Sequence, residues 1–145
     1  MRKSLPLLMI LCYGFMDLAS TIIVYHQLGT FEYERSYMLS WLFATGGIPA
    51  VITLKMMLTT IAALLLYYLA KLLTKFDMMC ELLCVGASIV GVLASISNMN
   101  GALTLSTLYI CGIGMDVIGY IIFMVFFLAG LISVIYNYSN IRLEL

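Results

Sequence analysis

Four long apolar stretches alternate with short polar segments along the chain. Each stretch is close to the roughly 20 apolar residues that an α-helix needs to cross the hydrocarbon core of a bilayer. The pattern therefore predicts an all-α membrane protein, with about four transmembrane helices in an antiparallel bundle that forms one domain over residues 1–145. The predicted spans are approximately residues 5–25, 48–70, 82–100 and 117–136.

A semi-apolar segment, residues 37–47, precedes the second predicted span. Tyr37 and Trp41 lie one helical turn apart in this segment, and both side-chain types favour the headgroup layer of a membrane. Two consecutive glycines, Gly46 and Gly47, close it. We therefore expect a short interfacial or re-entrant helix on the outer face, separate from the span that follows.

The uncharged run from Leu82 to Met115 is too long for a single span. As one helix it would extend about 51 Å, against a hydrocarbon core of about 30 Å. Two asparagines and a glycine occur at residues 98–101, and we expect the helix to break there. Residues 102–111 would then form a second interfacial or re-entrant segment on the outer face.

Lys and Arg residues are distributed unevenly over the ends of the predicted spans. Cytoplasmic loops of membrane proteins carry an excess of these residues. If the N-terminus lies inside, only Arg35 falls on the outer side, and five basic residues fall on the cytoplasmic side: Arg2, Lys3, Lys71, Lys75 and Arg142. We therefore expect a multi-pass protein of the plasma membrane with both termini in the cytoplasm.

The composition agrees with a membrane protein and narrows the range of partners. Hydrophobic residues make up 64% of the chain and charged residues 10%, whereas soluble domains contain about 25% charged residues. Seven basic and seven acidic residues give a formal net charge of zero, which argues against nucleic acid as a partner. The four cysteines include no Cys-x-x-Cys pair, so free thiols are expected. The bilayer is the predicted partner, and no cofactor or metal ion is indicated.

Small and weakly polar residues repeat at steps of three and four in the last two spans. Such faces usually mark helix contacts, because lipid supplies no hydrophobic drive for helix association. The face in the third span consists of Glu81, Cys84, Ser88, Gly91, Ser95 and Asn98. The face in the fourth span consists of Gly112, Asp116, Gly119, Phe123, Phe126, Gly130, Ser133 and Asn137.

Asp17 and Lys55 are charged residues inside predicted spans, where a charge costs at least ~2.5 to 3.5 kcal/mol. The helical rise places Asp17 about 12 Å and Lys55 about 10 Å below the outer membrane boundary. Opposite charges at one depth on consecutive helices predict an intramembrane ion pair. Further hydrogen-bonding groups are expected around it, from Ser20, Thr21, Thr59, Asn98 and Asp116.

These polar groups converge on the outer half of the predicted bundle. They lie beneath an outer loop that carries Glu32, Glu34 and Arg35. Two interpretations stay open. In the first, the groups line a polar binding pocket that opens outward. In the second, the two charges neutralise each other and fix the helix register, as buried ionic groups do in some proteins.

The first half of the chain contains three short motifs: Asp17-Leu-Ala-Ser20-Thr21, Gly29-Thr-Phe31-Glu32, and Lys55 in the next span. They resemble the Asp-x-x-Ser/Thr-Thr, Gly-x-x-Glu and Lys pattern of an uncharacterised family of small archaeal and bacterial polytopic membrane proteins. In that family the glutamate is followed by x-Asn-Pro, whereas here Tyr33-Glu34-Arg35 follows, so the Asn-Pro turn is absent. The resemblance implies a polytopic membrane fold and supports the polar site, but it implies no reaction.

Three functional hypotheses follow from the sequence. The first is an accessory or assembly subunit, or a solitary membrane protein, whose outward-facing polar site binds a partner or a lipid headgroup. Its partners would be a larger membrane complex or a second copy of the chain. The second is a small ion- or proton-coupled transporter or channel that uses Asp17 and Lys55, with an interrupted helix at Gly46 and Gly47. The third and weakest is an intramembrane aspartyl protease that uses Asp17 and Asp116. The balance favours a protein that is not an enzyme.

Overall fold

The computed structural model describes residues 1–29, 37–104, 108–110 and 113–143, and nearly all of them are helical. The first helical stretch begins as an α-helix, passes through a π-helical segment and continues as a second α-helix. The elements in chain order are α1 (Ser4–Met9), the π-segment (Ile10–Met16), α2 (Asp17–Leu28), α3 (Tyr37–Leu72), a 3₁₀ turn (Thr74–Phe76), α4 (Asp77–Thr104), β1 (Tyr109–Ile110), β2 (Ile113–Gly114) and α5 (Met115–Leu143).

Among the described residues, four helical stretches are long and apolar enough to cross a membrane, as the sequence predicts. The shortest has 22 residues, which corresponds to about 33 Å at 1.5 Å per residue. All four therefore exceed the roughly 30 Å of the hydrocarbon core. They comprise Ser4–Leu28, Ser40–Leu72, Thr74–Thr104 and Val117–Tyr138, and each contains one of the predicted spans.

The break expected between residues 37–47 and the second span is confirmed. Gly47 lies inside α3 with φ 67° and ψ −166°, which is not a helical conformation. Glycine reaches positive φ without a steric penalty, and this explains its place at the kink. Pro49 follows in the first turn of the new helix, where its missing N–H costs nothing, and its carbonyl accepts a hydrogen bond from the Thr53 hydroxyl.

The break expected at residues 98–101 is wrong, because α4 continues without interruption to Thr104. The asparagines do not end the helix since their side chains have partners in helical geometry. Asn98 reaches across to α2, and the Asn100 amide donates to Thr104 one turn further along. Residues 102–104 thus belong to α4 and not to a separate interfacial segment.

A short hairpin follows α4 where a second interfacial helix was expected. Tyr109 pairs with Gly114 and Ile110 with Ile113, in antiparallel register. The remainder of the expected segment, residues 105–107 and 111, lies outside the described residues. The short uncharged connection between α4 and α5 is therefore an extended turn in its described part.

α4 packs against the first helical stretch along the small-residue face predicted from the sequence. Cys84, Ser88, Gly91 and Ser95 are all buried. At Gly91 the two backbones meet, and a Cβ atom added there would overlap the Tyr13 backbone and lie 2.6 Å from the Cys12 carbonyl carbon. This contact therefore requires glycine, in keeping with the close approach that small residues allow between membrane helices.

The contact between α4 and α5 also uses glycines. A Cβ atom added to Gly86 of α4 would lie 3.0 Å from the Phe126 Cβ, and one added to Gly130 of α5 would lie 2.9 Å from Met79 Cγ. Gly119 is buried on the same side of α5, whereas Phe123 is 39% exposed. The predicted face of the fourth span therefore coincides with the observed contact only in part.

Candidate functional site

The ion pair expected from the sequence is present between the first and second long helices. Lys55 Nζ lies 2.6 Å from Asp17 Oδ2. The side chains retain only 14% exposure for Lys55 and 12% for Asp17. Both charges are thus largely removed from the surroundings and depend on each other for compensation, because a lone charge in such a place is strongly unfavourable.

Asn98 of α4 joins the ion pair to the third long helix. Its Nδ2 lies 3.2 Å from Asp17 Oδ1, 3.0 Å from Ser20 Oγ and 3.1 Å from Thr21 Oγ1. An amide group has two hydrogens, so three acceptors share two donor positions. Asp17, Ser20, Thr21, Lys55 and Asn98 together are called the polar cluster below.

The hydroxyl groups of the polar cluster are oriented by their own helix. Ser20 Oγ and Thr21 Oγ1 each donate to the Asp17 carbonyl oxygen at 2.8 Å. Serine and threonine often bond in this way to a carbonyl three or four residues earlier in a helix. Because both hydroxyl hydrogens point to the Asp17 carbonyl, the two hydroxyl oxygens are free to accept. The Asn98 amide of α4 therefore acts as the donor in its contacts with Ser20 and Thr21.

The remaining predicted site residues do not join the polar cluster within the described part of the chain. Thr59 is 4% exposed and packs beside Gly14, where an added Cβ would lie 3.3 Å from its methyl carbon. It therefore contributes to the packing of the first two long helices. Asp116 lies in the first turn of α5, but its side chain is outside the described residues. Glu32, Glu34 and Arg35 are outside them as well.

A π-helical segment directly before Asp17 is a feature that the sequence analysis missed. A regular α-helix would place Tyr13 and Asp17, which are four residues apart, on one face, yet Tyr13 is 37% exposed. Cys12, five residues before Asp17, is buried instead, as the wider π-helical turn would produce. No residue type in this segment predicts a π-helix. The segment does contain the contacts with the neighbouring helices, through Gly14 against α3 and through Tyr13 against Gly91 of α4.

The opposite end of the molecule has its own polar contacts, which involve residues not assigned to a site from the sequence. The backbone N–H of Arg2 donates to Glu81 Oε1 at 2.8 Å, and the amine of Met1 pairs with Asp77. Lys75 lies 4.3 Å from the ring centre of Tyr138. These contacts join the beginning of the chain to α4, and the 3₁₀ turn to the end of α5.

The described cysteines and acidic residues form no metal site. Cys12, Cys80 and Cys84 are free and buried, and no group of three potential ligands is placed to hold a metal ion in the part of the chain that the structure describes. Comparisons with protein-family models, curated proteins and solved structures find no match to this chain. The resemblance to a family of small polytopic membrane proteins stays a prediction.

Proposed function

We propose that the chain is an integral membrane protein of four antiparallel spans, with both termini in the cytoplasm of a cell whose plasma membrane it crosses. Its role is that of an accessory or assembly subunit. The polar cluster in the outer half of the bundle fixes the arrangement of the first three spans. The observation that carries this proposal is the mutual compensation of Asp17 and Lys55, completed by Asn98.

Aromatic residues near the helix ends support the membrane assignment. Tyr120 and Tyr138 mark the two ends of the fourth span and are 74% and 58% exposed. Eighteen residues of helix separate them, or about 27 Å, close to the thickness of the hydrocarbon core. Trp41 at the beginning of α3 and Tyr68 near its end are also exposed. Such aromatic belts are typical of the two membrane interfaces.

The depth of the polar cluster supports a position in the outer half. Asn98 lies six residues before the end of α4, and Lys55 lies eight residues after the kink at Gly47. The helical rise converts these separations to about 9 and 12 Å. Both helices therefore bring their polar side chains to the same level, below the end that is expected to face outward.

The compensation within the polar cluster favours a structural role over a substrate pocket. One carboxylate oxygen of Asp17 binds the Lys55 ammonium and the other accepts from the Asn98 amide. With exposures of 12% and 14%, the charged side chains leave little surface for a ligand. The polar cluster does not support an aspartyl protease either. The mechanism of such a protease uses two carboxylates that share a proton, whereas the partner of the Asp17 carboxylate is the Lys55 ammonium group.

An ion- or proton-coupled transporter is the second candidate, and two helix irregularities favour it. The π-segment ends immediately before Asp17, and the kink at Gly47 lies about two turns above Lys55. π-Helical turns and interrupted helices often accompany functional sites. In this alternative the ion pair would open during transport, and the structure would represent its closed form.

Extraction from the native membrane tests the accessory role. The tagged chain is solubilised in a mild detergent and its native mass is compared with that of the chain purified in harsher detergent. An accessory subunit is expected to migrate with additional protein mass that the harsher detergent removes. A chain that migrates at the same mass in both detergents would contradict the proposal.

The double variant Asp17→Asn with Lys55→Met is the matched control for this experiment. It removes both charges while leaving side chains of similar size, so the bundle and its outer surface are retained. We expect this variant to keep the additional mass. If the additional mass were lost although the variant remained folded, the polar cluster itself would be the binding site for the partner.

A further inference from the structure

A cavity at the end of the molecule opposite the polar cluster has no role in the proposed function. It has a volume of about 330 Å³ and lies between the beginning of the first helical stretch and the first turns of α4. This volume lies within the range of pockets that bind small molecules, roughly 300 to 1,000 Å³. It is lined by Arg2, Leu5, Met78, Glu81, Leu82 and Val85.

The cavity combines one basic and one acidic residue with an apolar wall. Arg2 and Glu81 both border it, and the two are adjacent because the Arg2 backbone N–H donates to Glu81 Oε1. In the part of the chain that the structure describes, the Arg2 guanidinium has no protein partner. Leu82 and Val85 continue the wall along α4, and Val85 lies about 12 Å beyond the first residue of that helix. The apolar wall of α4 therefore extends from the charged pair towards Val85, while Met78 lies about one turn to the other side of Glu81.

We propose that this cavity binds one phosphatidylethanolamine molecule. Arg2 takes the phosphate and Glu81 takes the primary ammonium, while Leu5, Leu82 and Val85 contact the beginning of an acyl chain. Guanidinium groups bind phosphate well through paired N–H donors. The assignment rests on the proposed membrane function, since it requires the N-terminal end of α1 to lie at a headgroup layer.

The charges of the cavity distinguish this lipid from the alternatives. Phosphatidylglycerol offers a phosphate but no cation, so it adds a net negative charge to a site where the Arg2 guanidinium and the Met1 amine already balance Asp77 and Glu81. Phosphatidylcholine offers a cation, but its quaternary ammonium has no N–H to donate to Glu81. Phosphatidylethanolamine supplies both a phosphate acceptor and an ammonium donor, which matches the Arg2 and Glu81 pair.

Spin-labelled lipids in reconstituted bilayers test the assignment. The protein is placed in bilayers of phosphatidylcholine containing trace spin-labelled phosphatidylethanolamine, phosphatidylcholine or phosphatidylglycerol, and the association constant of each lipid relative to phosphatidylcholine is measured. We expect wild type to prefer phosphatidylethanolamine up to about fivefold, the equivalent of ~1 kcal/mol for an exposed ion pair. A relative association constant of one for phosphatidylethanolamine, or a larger one for phosphatidylglycerol, would overturn the proposal.

Glu81→Gln is the most informative variant. Glutamine still accepts the Arg2 backbone N–H through its carbonyl oxygen, so the local fold is preserved. We expect this variant to lose the preference for phosphatidylethanolamine and to gain affinity for phosphatidylglycerol. Arg2→Gln should lose affinity for both lipids. Lys3→Gln, which removes an exposed neighbouring charge that does not line the cavity, should leave the preference unchanged.

Val85→Phe tests the apolar wall of the cavity without altering a charge. The larger side chain should fill the space. We expect the preference for phosphatidylethanolamine to fall to the value measured for Arg2→Gln. If Lys3→Gln and Arg2→Gln had equal effects, or if Val85→Phe had none, the preference would be a property of the surface and the site would be refuted.

The design separates this proposal from the membrane assignment. Both leaflets of the bilayer have the same composition, so an inverted orientation would not change the measured preference. Flotation of the same samples on a density gradient reports whether the chain is in the bilayer. A chain that floats with the lipid but shows no preference refutes the lipid site alone, whereas a chain that does not float refutes the membrane function.

Discussion

The ion pair between Asp17 and Lys55 makes the sharpest prediction for stability. Each side chain is the main compensation for the other, at a distance of 2.6 Å and with less than 15% exposure. Removing one partner from a buried pair costs ~3 to 5 kcal/mol, because the remaining charge loses its compensation. We expect Asp17→Asn and Lys55→Met each to lower the free energy of unfolding by this amount, or less where water reaches the remaining group.

The double variant should be more stable than either single variant. With both charges removed, no orphaned charge remains, and replacing a buried pair by uncharged side chains is often close to neutral. The measurement is the midpoint of unfolding in mixed micelles of mild detergent and dodecyl sulfate. Lys71→Met is the control, since Lys71 is an exposed lysine at the end of the same helix and should change stability by no more than about 0.5 kcal/mol.

The coupling energy from the double-mutant cycle decides whether the reasoning is right. Residues in direct contact show coupling of about 0.5 to 3 kcal/mol, whereas independent residues add within about 0.3 to 0.5 kcal/mol. Additive losses from the two single variants would mean that Asp17 and Lys55 do not compensate each other, and the polar cluster would lose its basis.

Three further predictions concern packing, the third long helix and orientation. Gly91→Ala should destabilise the protein by about 1 to 3 kcal/mol through overlap with the Tyr13 backbone, while Gly119→Ala, whose added Cβ would lie 3.5 Å from Val90, should cost far less by the same unfolding assay. Asn98→Ala should cost about 0.6 to 1.7 kcal/mol, which are the average and the largest values for hydrogen bonds between membrane helices. Equal losses for Asn98→Ala and Ser95→Ala would contradict a cross-helix role for Asn98. In a cysteine-free chain, an impermeant thiol reagent applied to intact cells should label a cysteine at position 34 and spare one at position 75, and the reverse labelling would invert the orientation.

The sequence allowed the number of long helices and the ion pair to be predicted because both follow from large energetic penalties. Unpaired charges in hydrocarbon are strongly disfavoured, so Asp17 and Lys55 could be matched by depth alone. The kink at Gly47 could also be predicted from the sequence, since glycine and proline interrupt helices for local steric reasons. These features depend on the chemistry of single residues and not on the details of packing.

The parts that could not be predicted depend on tertiary contacts. Asn98 was expected to end a helix, but its amide finds acceptors on α2, and this removes the reason for a break. The π-segment was missed because a helical period of 3.6 residues was assumed throughout, and the exposed position of Tyr13 shows where that assumption fails. The adjacency of Arg2 and Glu81 joins residues 79 positions apart, which no local pattern reveals.

Transport by the purified chain is the measurement that tests the central claim most directly. The chain is reconstituted into liposomes that contain a pH-sensitive dye, and a proton or potassium gradient is imposed with and without a counter-ion pathway. If the polar cluster holds the helices together and carries nothing, wild type and the Asp17→Asn, Lys55→Met double variant will both leak at the rate of protein-free liposomes. A flux that depends on wild-type protein and disappears in the folded double variant would contradict the account and establish the transporter.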